Sequence, residues 1–286
     1  MNQLSIEKRA QIIGCLVEGN SIRATCRMTG AAKNTVINLL MNIGGACSKY
    51  QHEVFRNLPC KRVQCDEIWS FCYAKQKNVP DKYKGNFGYG DVWTWTAICA
   101  DTKLVPSWLI GDRSAHTAYL FIADLEKRFK NRIQLTTDGN RVYLEAVEAA
   151  FGPDIDYAML IKIYGSEVEG QKRYSPPQII ETQRATITGF PDPKHISTSF
   201  VERQNLTMRM NMRRFTRLTN GFSKKVENLA HAVALHFMYY NFCRVHQTLR
   251  VTPAMEAGVT DHVWTLEEII SLLETNRTKS IKLVNG

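Results

Sequence analysis

Lys61–Ala74, KRVQCDEIWSFCYA, is the stretch from which the fold of this 286-residue chain is read. Val63, Ile68, Trp69, Phe71 and Tyr73 are β-branched and aromatic types that suit a pleated strand. Two acids, Asp66 and Glu67, sit side by side in its middle. Successive strand side chains point to opposite faces, so only one of the pair can join a given site, and the residues alone do not say which.

Downstream, 75–90 is a connection rich in lysine, glycine and tyrosine, and DVWTWTAICA (91–100) and KLVPSWLIG (103–111) flank a tight turn at Asp101-Thr102. Three antiparallel strands are the simplest arrangement. His116–Lys130 has a helical period, with Leu120, Ile122, Leu125 and Phe129 inward. Arg132–Thr137 is a short strand that runs into Asp138-Gly139-Asn140; Val142–Phe151 is helical, and 155–165 is a fifth strand. Three strands, helix, strand, helix, strand, helix is the order of the ribonuclease H-like fold, an α/β class with a mixed five-stranded sheet flanked by helices. That topology sets an acid in the middle of the first strand beside one at the end of the fourth, and a following helix can add a third. Asp66, Asp138 and Glu202 occupy those places, and three hard oxygen ligands suit Mg²⁺.

Glu202 is the sole acid of HISTSFVERQNLTMRMNMRRFTRLTNGFSKK (195–225), and Arg203, Arg209, Arg213, Arg214, Arg217, Lys224 and Lys225 follow it. A helix over 200–215 would put Glu202, Asn205, Arg209 and Arg213 on one face and leave Phe200, Leu206, Met208, Met212 and Phe215 to pack inward. A carboxylate framed by arginines suits metal-dependent phosphodiester chemistry: the acid holds metal and the cations hold the polyanion. Before it lies 166–194, where Pro176, Pro177, Pro191 and Pro193 rule out one long helix. We expect there a β-hairpin or irregular insertion carrying Lys172, Arg173 and Arg184, either an arm contacting DNA or a subunit, or a passive loop.

The first 45 residues read as a helix-turn-helix unit. Ser5 caps a helix over 5–17, Ser21 caps SIRATCRM, Gly30 supplies the turn, and a third helix runs from about Ala32 to Ile43. Lys33, Asn34 and Thr35 then begin the recognition helix, where side chains reach base edges, with Arg23 and Arg27 available for phosphates. Gly44-Gly45 reads as its end and 46–59 as a linker to a catalytic domain over 60–250. A helix over 226–249 and a C-terminal helix with a basic tail in 251–286 complete the chain; His231, His236 and His246 lack metal-ligand spacing and read as structural.

Net charge is +10, which points to a polyanionic partner. The eight cysteines form no C-x-x-C pair and read as free thiols of a reducing cytoplasm. No signal sequence and no membrane-length apolar run is seen, so no membrane partner is expected.

QCDEIWSF, TTDGNRVY, HISTSFVERQNLTMR with RRFTRLTNGFSKK, and YNFCRVHQTLRVTPAMEAG together resemble the insertion-sequence-one family of DNA transposases over roughly residues 60–258. The resemblance implies a DDE transposase with the triad Asp66, Asp138 and Glu202, and it selects Asp66 over Glu67. It also implies two Mg²⁺ ions (Mn²⁺ able to substitute), with Arg209 near the DNA end. Double-stranded DNA of element ends and target would be the partner, handled by a homodimer or higher homo-oligomer at the nucleoid of a prokaryotic cytoplasm. An N-terminal zinc-binding cysteine cluster, common in that family, has no counterpart here, and the chain is one continuous reading frame.

Overall fold

Alternating apolar residues build a six-stranded mixed sheet in the computed structural model, which describes residues 4–165, 179–216 and 219–282, with side chains as far as 274. The strands are β1 (Arg62–Cys72), β2 (Gly90–Cys99), β3 (Ser107–Gly111), β4 (Gln134–Asp138), β5 (Asp156–Tyr164) and β6 (Ile179–Thr188), in the order β3-β2-β1-β4-β5-β6. β1, β2 and β3 pair antiparallel, β4 joins β1 in parallel, β5 joins β4 in parallel, and β6 returns antiparallel on β5. The sheet therefore has one strand more than expected. It comes from the 166–194 insertion, whose IIETQRATIT is rich in β-branched residues and pairs with the open edge of β5. Arg184 is exposed on that strand, while Lys172 and Arg173 lie outside the described residues.

Helices α4 (Ala115–Glu126) and α5 (Val142–Phe151) cover one face of the sheet. Trp95 of β2 lies against Phe121 of α4 and Tyr143 of α5, and its cross-strand partner is Glu67. Helix α6 (Ser199–Asn211) crosses the other face, that of Gln64 and Asp66. It is shorter than expected: the chain leaves it at Met212 for a 3₁₀ turn over Arg213–Phe215, so Arg213 does not share the Glu202 face. Met208, Met212 and Phe215 are buried, but Phe200 and Leu206 are exposed. In α4 likewise Phe121, not Leu120, faces the core.

The N-terminal helices are α1 (Ile6–Val17), α2 (Ile22–Thr29) and α3 (Lys33–Val54). Ser5 and Ser21 cap the first two through Lys8 N and Ala24 N, and Gly30 ends α2 at φ +69°, a conformation glycine adopts freely. Val36 and Leu39 are buried in the angle. The expected break at Gly44-Gly45 does not occur: α3 continues through most of the expected 46–59 linker. Gly44 is a packing residue. A Cβ there would sit 2.4 Å from the carbonyl oxygen of His231 on α7 (Val226–Met238), so glycine lets the two backbones touch. The one-turn α8 (Pro253–Glu256) and α9 (Leu266–Lys282) follow, and α9 packs on α1 and α3. Ile13, Ile43, Phe237 and Ile269 thus belong to one continuous buried cluster with the sheet.

The expected helix over 226–249 stops short for a similar reason. A π turn over Tyr239–Cys243 ends it, and the fully buried Asn241 amide pairs with Val105 N and O at 3.0 and 3.1 Å.

The two glycines of α3 should respond oppositely to alanine. Gly44→Ala forces a Cβ into the α7 backbone and should cost roughly 1–3 kcal/mol in urea unfolding. Gly45, whose Cβ would meet nothing nearer than 3.7 Å, should gain about 0.5–1 kcal/mol from better helix propensity.

Candidate active site

Register brings the first two acids together. Cys65 of β1 lies beside Thr137 of β4, so the next residues, Asp66 and Asp138, face each other where β4 ends. Asp138 starts a tight turn in which Asn140 N donates to its Oδ1 at 3.0 Å. Helix α6 is tied to β1 by Gln64, whose buried Oε1 accepts from Phe200 N and Val201 N at 2.8 and 3.2 Å. This satisfies two of the amides left open at a helix start and fixes the height of Glu202 over the strand. Gln64 lies two residues before Asp66, on the same face. That spacing is a signal for it, but nothing in the sequence says that a helix end lands there.

Glu67 corrects the sequence reading. It does lie on the opposite face from Asp66, yet carboxylate oxygens of Asp66, Glu67 and Asp138 all come within 4.8 Å of one another. Pairing with β4 stops at Cys65, so beyond that point the edge of β1 is open and the longer glutamate side chain reaches around it. Glu67 is buried, ion-paired to Arg113 at 3.2 Å and contacted by Asn140 Nδ2 at 3.4 Å. Arg113 also lies 4.0 Å from Asp138 and stacks over Trp93.

Glu202 stands outside that trio but lines the same open cleft of about 710 Å³, along with Lys162, Asn205 and Arg209. Its carboxylate accepts from Lys162 Nζ of β5 and from Thr198 Oγ1. Asn205 was expected to contact DNA. One turn along from Glu202, it is instead buried, and its Nδ2 donates to Asp66 Oδ2 at 2.8 Å.

Burial first, and crowding of like charge after it, raises these acids. Burial, then Asp138 and Glu67, push Asp66 up to about 7. Burial also raises Glu67 and Asp138, and Asp138 adds to the rise at Glu67. Asn205 Oδ1 is buried with no hydrogen-bond partner among the described residues. Closely spaced carboxylates, raised in pKa and joined by an unpaired amide oxygen, are a donor set that fits a hard divalent cation.

The cations singled out in the sequence disperse. Arg209 lines the acid cleft, whereas Arg203 projects from α6 away from it. Arg213 is exposed on its turn, and Lys224 and Lys225 are exposed before α7, Lys224 lying over the Phe222 ring. Arg214 turns inward: burial lowers it to about 10, and Nε donates to Ser223 Oγ at 2.8 Å. Arg214 is half-buried, and this hydrogen bond engages its Nε alone. Arg217 lies outside the described residues. At the N-terminus Arg23, Arg27, Lys33 and Asn34 are exposed and Thr35 is half-buried.

No family model and no curated protein matches the chain. Among solved structures it is similar to piggyBac transposase in a synaptic complex with hairpin DNA, over 96% of this chain and 71% of that one, at TM-score 0.42 and 10% identity. A likeness at that level assigns neither family nor activity. No helix among the described residues is long and apolar enough to cross a membrane.

The acids should make metal-free protein less stable as pH rises. Asp66 has a folded pKa of about 7, above an unfolded value of about 3.9, so its contribution is fully present below about pH 4 and lost by about pH 7. Asp66→Asn should remove the Asp66 share of this dependence and raise metal-free stability at pH 8 by up to roughly 4 kcal/mol. Mg²⁺ should raise the melting temperature of the native chain at pH 8 and much less at pH 5. Thermal melts across that range check both.

Proposed function

We propose that this chain is an insertion-sequence DNA transposase of the insertion-sequence-one type, with a ribonuclease H-like catalytic unit. The observation that carries the reading is the meeting of Asp66, Glu67 and Asp138 within 4.8 Å, in a cleft that α6 closes with Glu202. The acids come from the middle of β1, the end of β4 and a later helix, and so link distant parts of the chain at one spot.

Asp66, Asp138 and Glu202 would hold two Mg²⁺ ions, which when bound supply a nucleophilic oxygen at neutral pH and neutralise charge on the phosphate. The chain's own groups prepare that site. Asn205 orients the Asp66 carboxylate, and Arg113 offsets Glu67 so that more negative charge can gather than the cleft would otherwise tolerate. Lys162 offsets Glu202 in the same way. Arg209, two turns along α6 from Glu202, lines the same cleft and would contact the strand whose bond is cut. Helices α2 and α3 would read the terminal repeats, with Lys33, Asn34 and Thr35 on bases and Arg23 and Arg27 on phosphates. Arg203, Arg213, Lys224 and Lys225 would add backbone contacts. The DNA-reading unit of the first 45 residues is then joined to the catalytic unit by a continuous helix rather than by a free linker.

Asp138→Asn and Glu202→Gln should lower end cleavage and strand transfer by at least about a hundredfold while leaving end binding intact. Glu67→Gln should weaken Mg²⁺ binding without abolishing it. Cleavage gels on an end-containing duplex, with a pre-cut end assayed separately for joining, test this. Cleavage without joining would favour a nuclease, and binding with neither a DNA-binding regulator. Lys33→Ala and Asn34→Ala should each cost about 1–3 kcal/mol on the cognate end and little on random DNA, measured by anisotropy titration.

A further inference from the structure

The C-terminal stretch YNFCRVHQTLR (240–250) takes no part in the acid cleft. It lines a second cleft, of about 530 Å³, on the other side of α6. Glu202, Asn205 and Arg209 face the first cleft, and Phe200, Arg203, Gln204 and Thr207 face the second, so the helix is a wall between them. Lys103, Arg203 and Arg244 bring positive charge to the second cleft, and none of the described residues lining it is acidic. Arg203 and Arg244 form no ion pair with any described acid.

These walls are held in place. Tyr240 Oη donates to the carbonyl of Lys103 at 2.9 Å, where Lys103 adopts a φ of +60°. The Lys103 ammonium sits 3.4 Å from the centre of the Phe200 ring. Asn241 fastens the π turn to Val105, and reciprocal backbone bonds of His246 with Val251 and Arg250 close the loop that follows. Gln204, 2% exposed, lines the cleft, and its Nε2 has no hydrogen-bond partner among the described residues. A buried donor without an acceptor beside unpaired cations is an arrangement that an anion would complete. The cleft is too large for a single phosphate and is open at the surface, as an extended polyanion requires.

We infer that the second cleft binds the phosphodiester backbone of a second DNA segment, with Lys103, Arg203 and Arg244 on phosphates and Gln204 Nε2 donating to one of them. That the occupant is DNA rests on the transposase reading. The two segments would lie about 10 Å apart, the thickness of α6.

The test uses Arg244→Gln and the pair Arg244→Gln/Lys103→Asn, since asparagine tolerates a positive φ, with exposed Lys127→Gln on the far end of α4 as control. Binding of a random 30-base-pair duplex is measured against salt, and melting temperature confirms the fold. The salt slope should fall by about one counterion in the single variant and about two in the pair, with affinity at least roughly tenfold weaker in the pair and unchanged in Lys127→Gln. This readout needs no catalysis, so it stands or falls apart from the acids: Asp138→Asn should keep the native slope. If the segment is target DNA, joining of pre-cut ends falls while end cleavage stays. If it is the element end, both fall together. Native slope and affinity in the double variant would overturn the inference, as would native DNA binding with lost binding of poly-glutamate, which would mark an acidic polypeptide as the occupant.

Discussion

Carboxylates that repel one another lie at the centre of this molecule. Asp66, Glu67 and Asp138 share a space in which their oxygens come within 4.8 Å, and burial denies them the water that would screen that charge. The neighbourhood compensates piece by piece. Arg113 pairs with Glu67, Asn140 contacts it, Asn205 donates to Asp66, and Lys162 with Thr198 holds Glu202. The compensation is incomplete, as the raised Asp66 shows, and a divalent cation would supply the remainder.

The elements that carry these acids are fastened to one another, and acids this close keep their places because of those ties. Parallel pairing of β1 with β4 sets Asp66 against Asp138, and Gln64 pins the start of α6 to β1. The same helix then separates two clefts of opposite character, one acidic and one basic. Positive charge stands close to the acids, on Arg209 within the cleft and across α6 on Arg203.

The helical part is less separable than its sequence suggests. Gly44 lets α3 lie against the backbone of α7, and α9 closes on α1 and α3, so the first and last helices share one core with the sheet.

Much of this was legible in the chain itself, because periodicity and capping are local. The strand patterns of 61–74, 91–100 and 155–165, the serine caps at Ser5 and Ser21 and the turn at Gly30 depend on neighbours a few residues away. The order of elements was enough to set the Asp66-Glu67 pair beside Asp138, since parallel pairing follows from a crossover helix, and the family resemblance chose Asp66 from that pair. What the tertiary structure decided was the role of residues whose partners are distant. Gly44-Gly45 reads as a helix end until α7 is present to need the gap, and β6 is an insertion until β5 offers an open edge. Strand parity admits only one of Asp66 and Glu67 to the site until β4 is seen to stop short, and Asn205 looks like a surface contact until Asp66 meets it. Parity and period give the direction in which a side chain leaves the backbone. Only the folded chain determines what lies at the other end.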